Sequence, residues 1–170
     1  LVASVLAAAT IGTVAVSVSA QAQRAQIIST LSAADAPPHA LWIDSLDLAK
    51  MVQRRQTPRA GRTLASAGRG RGTGAGPPIT LGGVVYPHGI GTLSINELII
   101  DLKGQASRFV AMVGLDDLVT GQGSVNVEVW VDNTNRFRSR VLKAGDAPQL
   151  VDIDLTGARF MELLIDDGDD

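Results

Sequence analysis

From residue 79 onward, apolar and polar side chains alternate with a period of two, the spacing that sends successive residues to opposite faces of a strand. Val125, Val127, Val129 and Val131 share one face, and Asn126, Glu128 and Trp130 share the other. The same reading predicts strands at 93–102, 108–115, 150–155 and 160–165. Their inward sets are Leu98, Ile100 and Leu102; Phe109, Ala111, Val113 and Leu115; Val151, Ile153 and Leu155; and Met161, Leu163 and Ile165. Two short runs, 79–81 and 84–86, flank Gly82-Gly83, a two-residue hairpin signal. The cluster Asp132-Asn133-Thr134-Asn135 predicts a second turn, with 137–142 returning as the partner strand. Gly89-Ile90-Gly91 reads as a tight corner. No long stretch has a 3.6-residue period, and the connections are too short for the crossover helices of a parallel sheet. The pattern therefore predicts an all-β fold, an antiparallel β-sandwich of seven or eight short strands.

The chain before residue 79 is organised differently. Residues 1–20 carry no charge and lead into Ala20-Gln21-Ala22, a small-x-small peptidase site, so 1–22 is expected to be a signal peptide. A membrane anchor is the competing reading of such a run. Its Ala, Val, Ser and Thr content, in place of Leu and Ile, favours the signal peptide. Residues 23–38, ending in Pro37-Pro38, read as a linker, and 39–170 as the folded domain, opening with the apolar segment 41–48. Inside it, residues 52–78 hold six Arg and no acid, with the run GRGRGTGAGPP, and read as a low-complexity insertion. The chain stops at an acidic turn directly after a core strand, so the sandwich is expected to lack its last strand in this fragment.

Composition narrows the chemistry. A net charge of -2 gives no electrostatic case for nucleic acid, and an Arg/Gly stretch without an interleaved aromatic reads as a solvated loop rather than an RNA-binding tract. The absence of Cys removes disulfides, thiolate catalysis and Cys-ligated metals together. His39 and His88 lack metal-type spacing, and no nucleophile elbow, P-loop or dinucleotide fingerprint is present. Asp116-Asp117 can be read as a turn cap, as oxygen ligands for Ca²⁺, or as a catalytic pair. Capping ranks first, because adjacent residues on an extended chain point apart and cannot easily share a substrate. Asp166, Asp167 and Asp169 form a denser acidic cluster, readable as a solvated turn or as a calcium site. Trp130 stands on the polar face of its strand, where an indole either stacks on a sugar ring or is covered by another layer. Trp42 and Tyr86 are weaker aromatic candidates, with His88 and Glu128 as polar groups beside them.

The blocks LWIDSLDLAKM, ITLGGVVYPHGIGT, IIDLKGQASRFVAMVGLDD, GSVNVEVWVD and VDIDLTGARFMELLIDDGDD occur in this order over residues 40–170. Together they resemble the NPCBM family, also classed as carbohydrate-binding module family 51. The resemblance implies a jelly-roll sandwich like that of galactose-binding domains, without catalytic activity. It also implies a structural calcium, attachment to secreted glycoside hydrolases, and galactose-containing glycans as ligands. The expectation is a noncatalytic carbohydrate-binding module of an exported bacterial protein, secreted or held in the cell envelope, with no nucleic acid partner and no membrane contact beyond the export signal. The rival expectation is a structural or protein-interaction sandwich that no longer binds sugar. Leu93, which stands where family members carry His after Gly-Thr, and the Arg/Gly insertion favour the rival.

Overall fold

The computed structural model describes residues 3–5, 39–46, 52–53, 59–61, 76–121 and 123–168. The linker at 23–38, most of the 1–22 and 52–78 segments, and Asp169 lie outside the described residues. Short strands β1 (Ala3–Val5), β2 (Val52–Gln53) and β3 (Arg59–Ala60) precede the continuous part of the chain. There follow β4 (Ile79–Leu81), β5 (Val84–Tyr86), β6 (Ile90–Thr92), β7 (Asn96–Asp101) and β8 (Arg108–Leu115). The last are β9 (Ser124–Val131), β10 (Thr134–Arg138), β11 (Leu142–Lys143), β12 (Gln149–Asp154) and β13 (Phe160–Asp167). One sheet has the order β12-β8-β1-β6-β3; the other runs β10-β9-β13-β7-β2, with β11 beside β10 on the same edge of β9. All pairings among these strands are antiparallel. The sandwich read from the alternation is the observed architecture.

The core lies between the two sheets and is made by the residues the period of two selects. Val125, Val127 and Val129 are fully buried, and Leu163 and Ile165 pack with them against Phe109, Val113, Val151 and Ile153 of the facing sheet. Branched side chains suit this position because their restricted χ1 loses little freedom on a pleated, half-covered surface. The turns follow from local chemistry. Gly82 and Gly83 both have positive φ, as a tight hairpin that follows the strand twist requires. Asp132 and Asn133 also have positive φ, so β9 turns into β10 through two residues rather than the four-residue cluster the sequence suggests.

Three expectations change in detail. Strand β8 is buried on both faces, because the β4–β5 hairpin forms a further layer on the outer side of its sheet. Trp42, Ile79, Leu81 and Tyr86 pack there on Met112, with Leu150 at the margin, as a second small core. Gly89-Ile90-Gly91 is not a corner: Ile90 and Gly91 belong to β6, and the bend falls on the three residues before them. The 52–78 segment contributes β2 and β3, each pairing at a sheet edge, and the apolar run after residue 40 makes a 3₁₀ turn at Ile43–Ser45.

Candidate glycan-binding surface

The outward face of β9 carries the first group of sequence-selected residues. Trp130 is half-buried there and donates its indole N–H to Glu128 Oε2 at 2.7 Å. The same oxygen accepts from Asn135 Nδ2 at 2.7 Å, and Glu128 Oε1 meets the Arg138 guanidinium at 2.6 Å. Residues two apart on a strand share a face, which brings Trp130 and Glu128 together. The antiparallel register then sets Asn135 opposite Trp130 and Arg138 opposite Glu128. Glu128 is 6% exposed despite facing outward, because its partners cover it. It accepts from the indole N–H and so fixes that edge of the ring. On the next strand Glu162 lies directly opposite Trp130, and beyond it Ile99 is exposed. Sequence reading missed Asn135, Arg138 and Glu162, since only the strand register reveals that they meet.

Glu162 has its carboxyl held above the usual carboxylate range, first by burial and then by the negative charges of Glu97 and Glu128. A raised folded-state pKa means the native state binds the proton more tightly than the unfolded chain. The native state is therefore favoured at acid pH and loses stability as pH rises from the ordinary glutamate range through the raised value. Glu162→Gln removes this charge and is expected to stabilise the domain at pH 7 by a few tenths of a kcal/mol, solvent screening keeping the gain small. At pH 3 it should change nothing. Thermal melts of both proteins at the two pH values check this, and an equal shift at both would contradict it.

Two other aromatic candidates are buried. Tyr86 is 2% exposed in the small outer core, and burial, followed by the charge of Asp117, pushes its phenol up. Trp42 is 7% exposed and stacks on His88, with centroids 4.4 Å apart and planes 3° from parallel. Asp44 Oδ2 lies 3.3 Å from His88 Nδ1 and accepts from Gly89 N–H at 3.1 Å, so it holds the half-exposed imidazole against the indole. Neither Tyr86 nor Trp42 offers an open ring face to a sugar. The indole N–H of Trp42 is nonetheless buried with no acceptor among the described residues. Such an orphan donor costs about 1–3 kcal/mol. Trp42 also lines a cleft of about 360 Å³ at the end of the sandwich where β7 gives way to β8.

The acidic residues divide by role. Asp116 is 1% exposed and accepts from Thr80 N–H at 3.1 Å and Leu118 N–H at 3.0 Å. Asp117 accepts from Gly82 and Gly83 N–H at 2.8 and 2.7 Å. The pair is a latch for the β4–β5 hairpin, which is the capping role ranked first from sequence. Each of their four carboxylate oxygens accepts one backbone N–H. Asp166 Oδ1 accepts from Asp167 N–H, both exposed, and Asp169 lies outside the described residues. No group of three or more metal-type side chains gathers among the described residues.

With the sandwich and its outward indole established, the family assignment rests on a match of the NPCBM/NEW2 domain model to residues 39–170. The chain belongs to the NPCBM/NEW2 domain family. That family is one of carbohydrate-binding modules. Among solved structures it resembles the family 51 module of a Clostridium perfringens GH95 protein, solved with methyl-galactose. That likeness has a TM-score of 0.65 and 24% identity, covering 76% of this chain and 88% of that one. The tandem family 51 modules of Sp3GH98, a family 98 glycoside hydrolase of Streptococcus pneumoniae SP3-BS71, match with a TM-score of 0.70 and 18% identity over 94% of this chain and 47% of that one. A module of Clostridium perfringens ZmpB, solved with GlcNAc, matches with a TM-score of 0.63 and 20% identity over 75% of this chain and 27% of that one. These structural likenesses establish the fold. A protein of Renibacterium salmoninarum named "Putative endo-alpha-N-acetylgalactosaminidase" is 35% identical over 92 residues, 54% of this chain. The chain spans 6% of that relative's length.

Proposed function

We propose that this NPCBM domain holds an exported bacterial protein, one that carries a glycoside hydrolase or a surface domain, on galactose-containing glycans. The Trp130 platform would make the contact. The observation that carries the reading is the Trp130 indole, half-buried on an outward sheet face and locked at its edge by Glu128. A rigid ring stacks on the apolar face of a pyranose at low entropic cost, and Asn135 and Arg138 beside it supply polar groups for hydroxyls. Family membership and the glycosidase-type relative support the reading. Export is supported by the uncharged stretch before Ala20-Gln21-Ala22, of which Ala3–Val5 pairs here between β6 and β8 and would leave with a cleaved signal. Sequencing the N-terminus of the protein recovered from culture medium checks it. The structural calcium implied by the resemblance stays part of this reading, and calcium titration with thermal melts checks it.

Trp130→Ala is expected to weaken glycan binding at least tenfold, roughly the 1.4 kcal/mol a good stacking contact contributes. The fold should remain, because the indole is only half-buried. Titration calorimetry against galactosides, with circular dichroism on both proteins, measures this. Binding that survives Trp130→Ala unchanged would move the site elsewhere. No binding by the folded domain to any galactose-containing ligand favours the rival, a protein-interaction sandwich.

A further inference from the structure

We propose that, once the leader is cleaved after Ala22, residues 28–30 of the same chain take the place of β1 between β6 and β8, so that processing exchanges one strand for another. The inference rests on the export reading and is independent of sugar binding.

Strand β1 is not at an edge. Ala3, Ser4 and Val5 pair with Thr92, Gly91 and Ile90 on one side and with Leu115, Gly114 and Val113 on the other, antiparallel to both. Its removal divides the sheet into β12-β8 and β6-β3 and leaves two facing rows of backbone N–H and C=O groups. An extended chain laid into such a slot satisfies both rows at once. The register specifies what fits. The first position lies opposite Leu115 and Thr92, and the third opposite Val113 and Ile90, all four buried. The middle position lies between Gly91 and Gly114. Pro148 and Leu81 sit close over Gly114, where an added Cβ would meet them at 3.4 and 3.5 Å. The slot therefore calls for a small residue between two that suit a covered strand.

The chain left after cleavage contains such a run. Residues 23–38 stay joined to His39, and within them Ile28-Ser29-Thr30 sets a small Ser between two β-branched residues. Direction agrees with this assignment. β1 runs from Leu115 towards Val113, so a strand of the same sense leaves the slot heading for Arg108, at the start of β8. Arg108 and His39 line the same cleft. Reach agrees as well. The path from Val113 to Arg108 is about 17 Å along the strand, and the link from Thr30 to His39 can extend to about 30 Å. A tethered segment also competes well against a separate molecule, because its effective concentration is high.

The test uses the processed protein recovered from culture medium. Proline lacks the N–H that a central strand needs, whereas a linker tolerates it. Ser29→Pro is expected to speed amide exchange at Ile90–Thr92 and Val113–Leu115 about tenfold, with β9 and β13 as the internal reference. Ser29→Ala should leave exchange within about twofold of the wild type. In a precursor kept whole by Ala22→Leu, which spoils the small-x-small site, Ser29→Pro should change nothing, because β1 still holds the slot. If Ser29→Pro leaves these amides protected in the processed protein, another strand fills the slot and the inference is overturned; sedimentation then tells a second copy from a different part of the same chain. Unprotected amides in the processed wild type overturn it too, since the slot is then empty. An N-terminus that still carries Ala3–Val5 overturns the export reading and this inference with it, and leaves the Trp130 reading standing.

Discussion

Asp116→Ala is expected to lower the unfolding free energy by about 3 kcal/mol, as the loss of two partly buried charge-assisted hydrogen bonds implies. Asp116 is almost fully buried, and its two oxygens accept from Thr80 and Leu118 backbone N–H groups. No water replaces these bonds easily, so truncation leaves Thr80 N–H without an acceptor beside apolar neighbours. The damage should be local at first. The hairpin of β4 and β5 touches the rest of the sandwich through Ile79, Leu81 and Tyr86 on Met112, and through the Asp116-Asp117 latch. Hydrogen exchange should therefore speed up in 79–86 before it does in β9 or β13. Asp117→Ala is the control. Its bonds to Gly82 and Gly83 are exposed, so about 1 kcal/mol is expected. Urea melts of both variants decide the matter: an Asp117→Ala loss as large as that of Asp116→Ala would show that burial is not what gives the latch its strength.

Glu128→Ala is expected to cost about 2 kcal/mol of stability and most of the glycan affinity. The carboxylate organises three donors at once: Trp130 Nε1, Asn135 Nδ2 and the Arg138 guanidinium. The Arg138 side chain is 66% exposed, so its ion pair contributes little by itself. The larger part of the loss comes from the indole N–H and from the freedom the ring regains. Glu128→Gln separates these contributions. Its amide oxygen can still accept from Trp130 while the ion pair is gone, so it should lose under about 1 kcal/mol and keep sugar binding within a few fold. Chemical denaturation and calorimetric titration of the two variants test this. Equal loss of binding in both would mean that the charge, and not the placement of the indole, carries recognition.

Much of the sandwich was legible because strands such as β9 are covered on one face only. In β9, Val125 to Val131 alternate with Asn126, Glu128 and Trp130, and the observed inward and outward sets are those two lists. Turn chemistry was equally legible at Gly82-Gly83, where both residues need positive φ. Legibility failed where tertiary contacts cover a face that local pattern leaves open. Met112 and Leu150 read as outward residues of their strands, yet the hairpin roofs them. Trp42 and Tyr86 lost their standing as sugar platforms for the same reason. The sequence ranks them as aromatics near loops, but only packing decides whether a ring face is open. The Asp44–His88–Trp42 stack was not legible, since it joins residues more than forty positions apart.

The sequence by itself determined the strand periodicity, the antiparallel sandwich and the family, because alternation and glycine-dependent turns are local consequences of backbone sterics and one-sided burial. The tertiary structure alone decided which candidates can act. Register set Asn135 and Arg138 around Glu128, and with them the orientation of Trp130. The hairpin layer buried Tyr86 and turned Asp116 and Asp117 into latches. The closing of the sheet ends left Trp42 with a buried donor beside a cleft. Such relations depend on distances between residues remote in the chain, which periodicity does not encode.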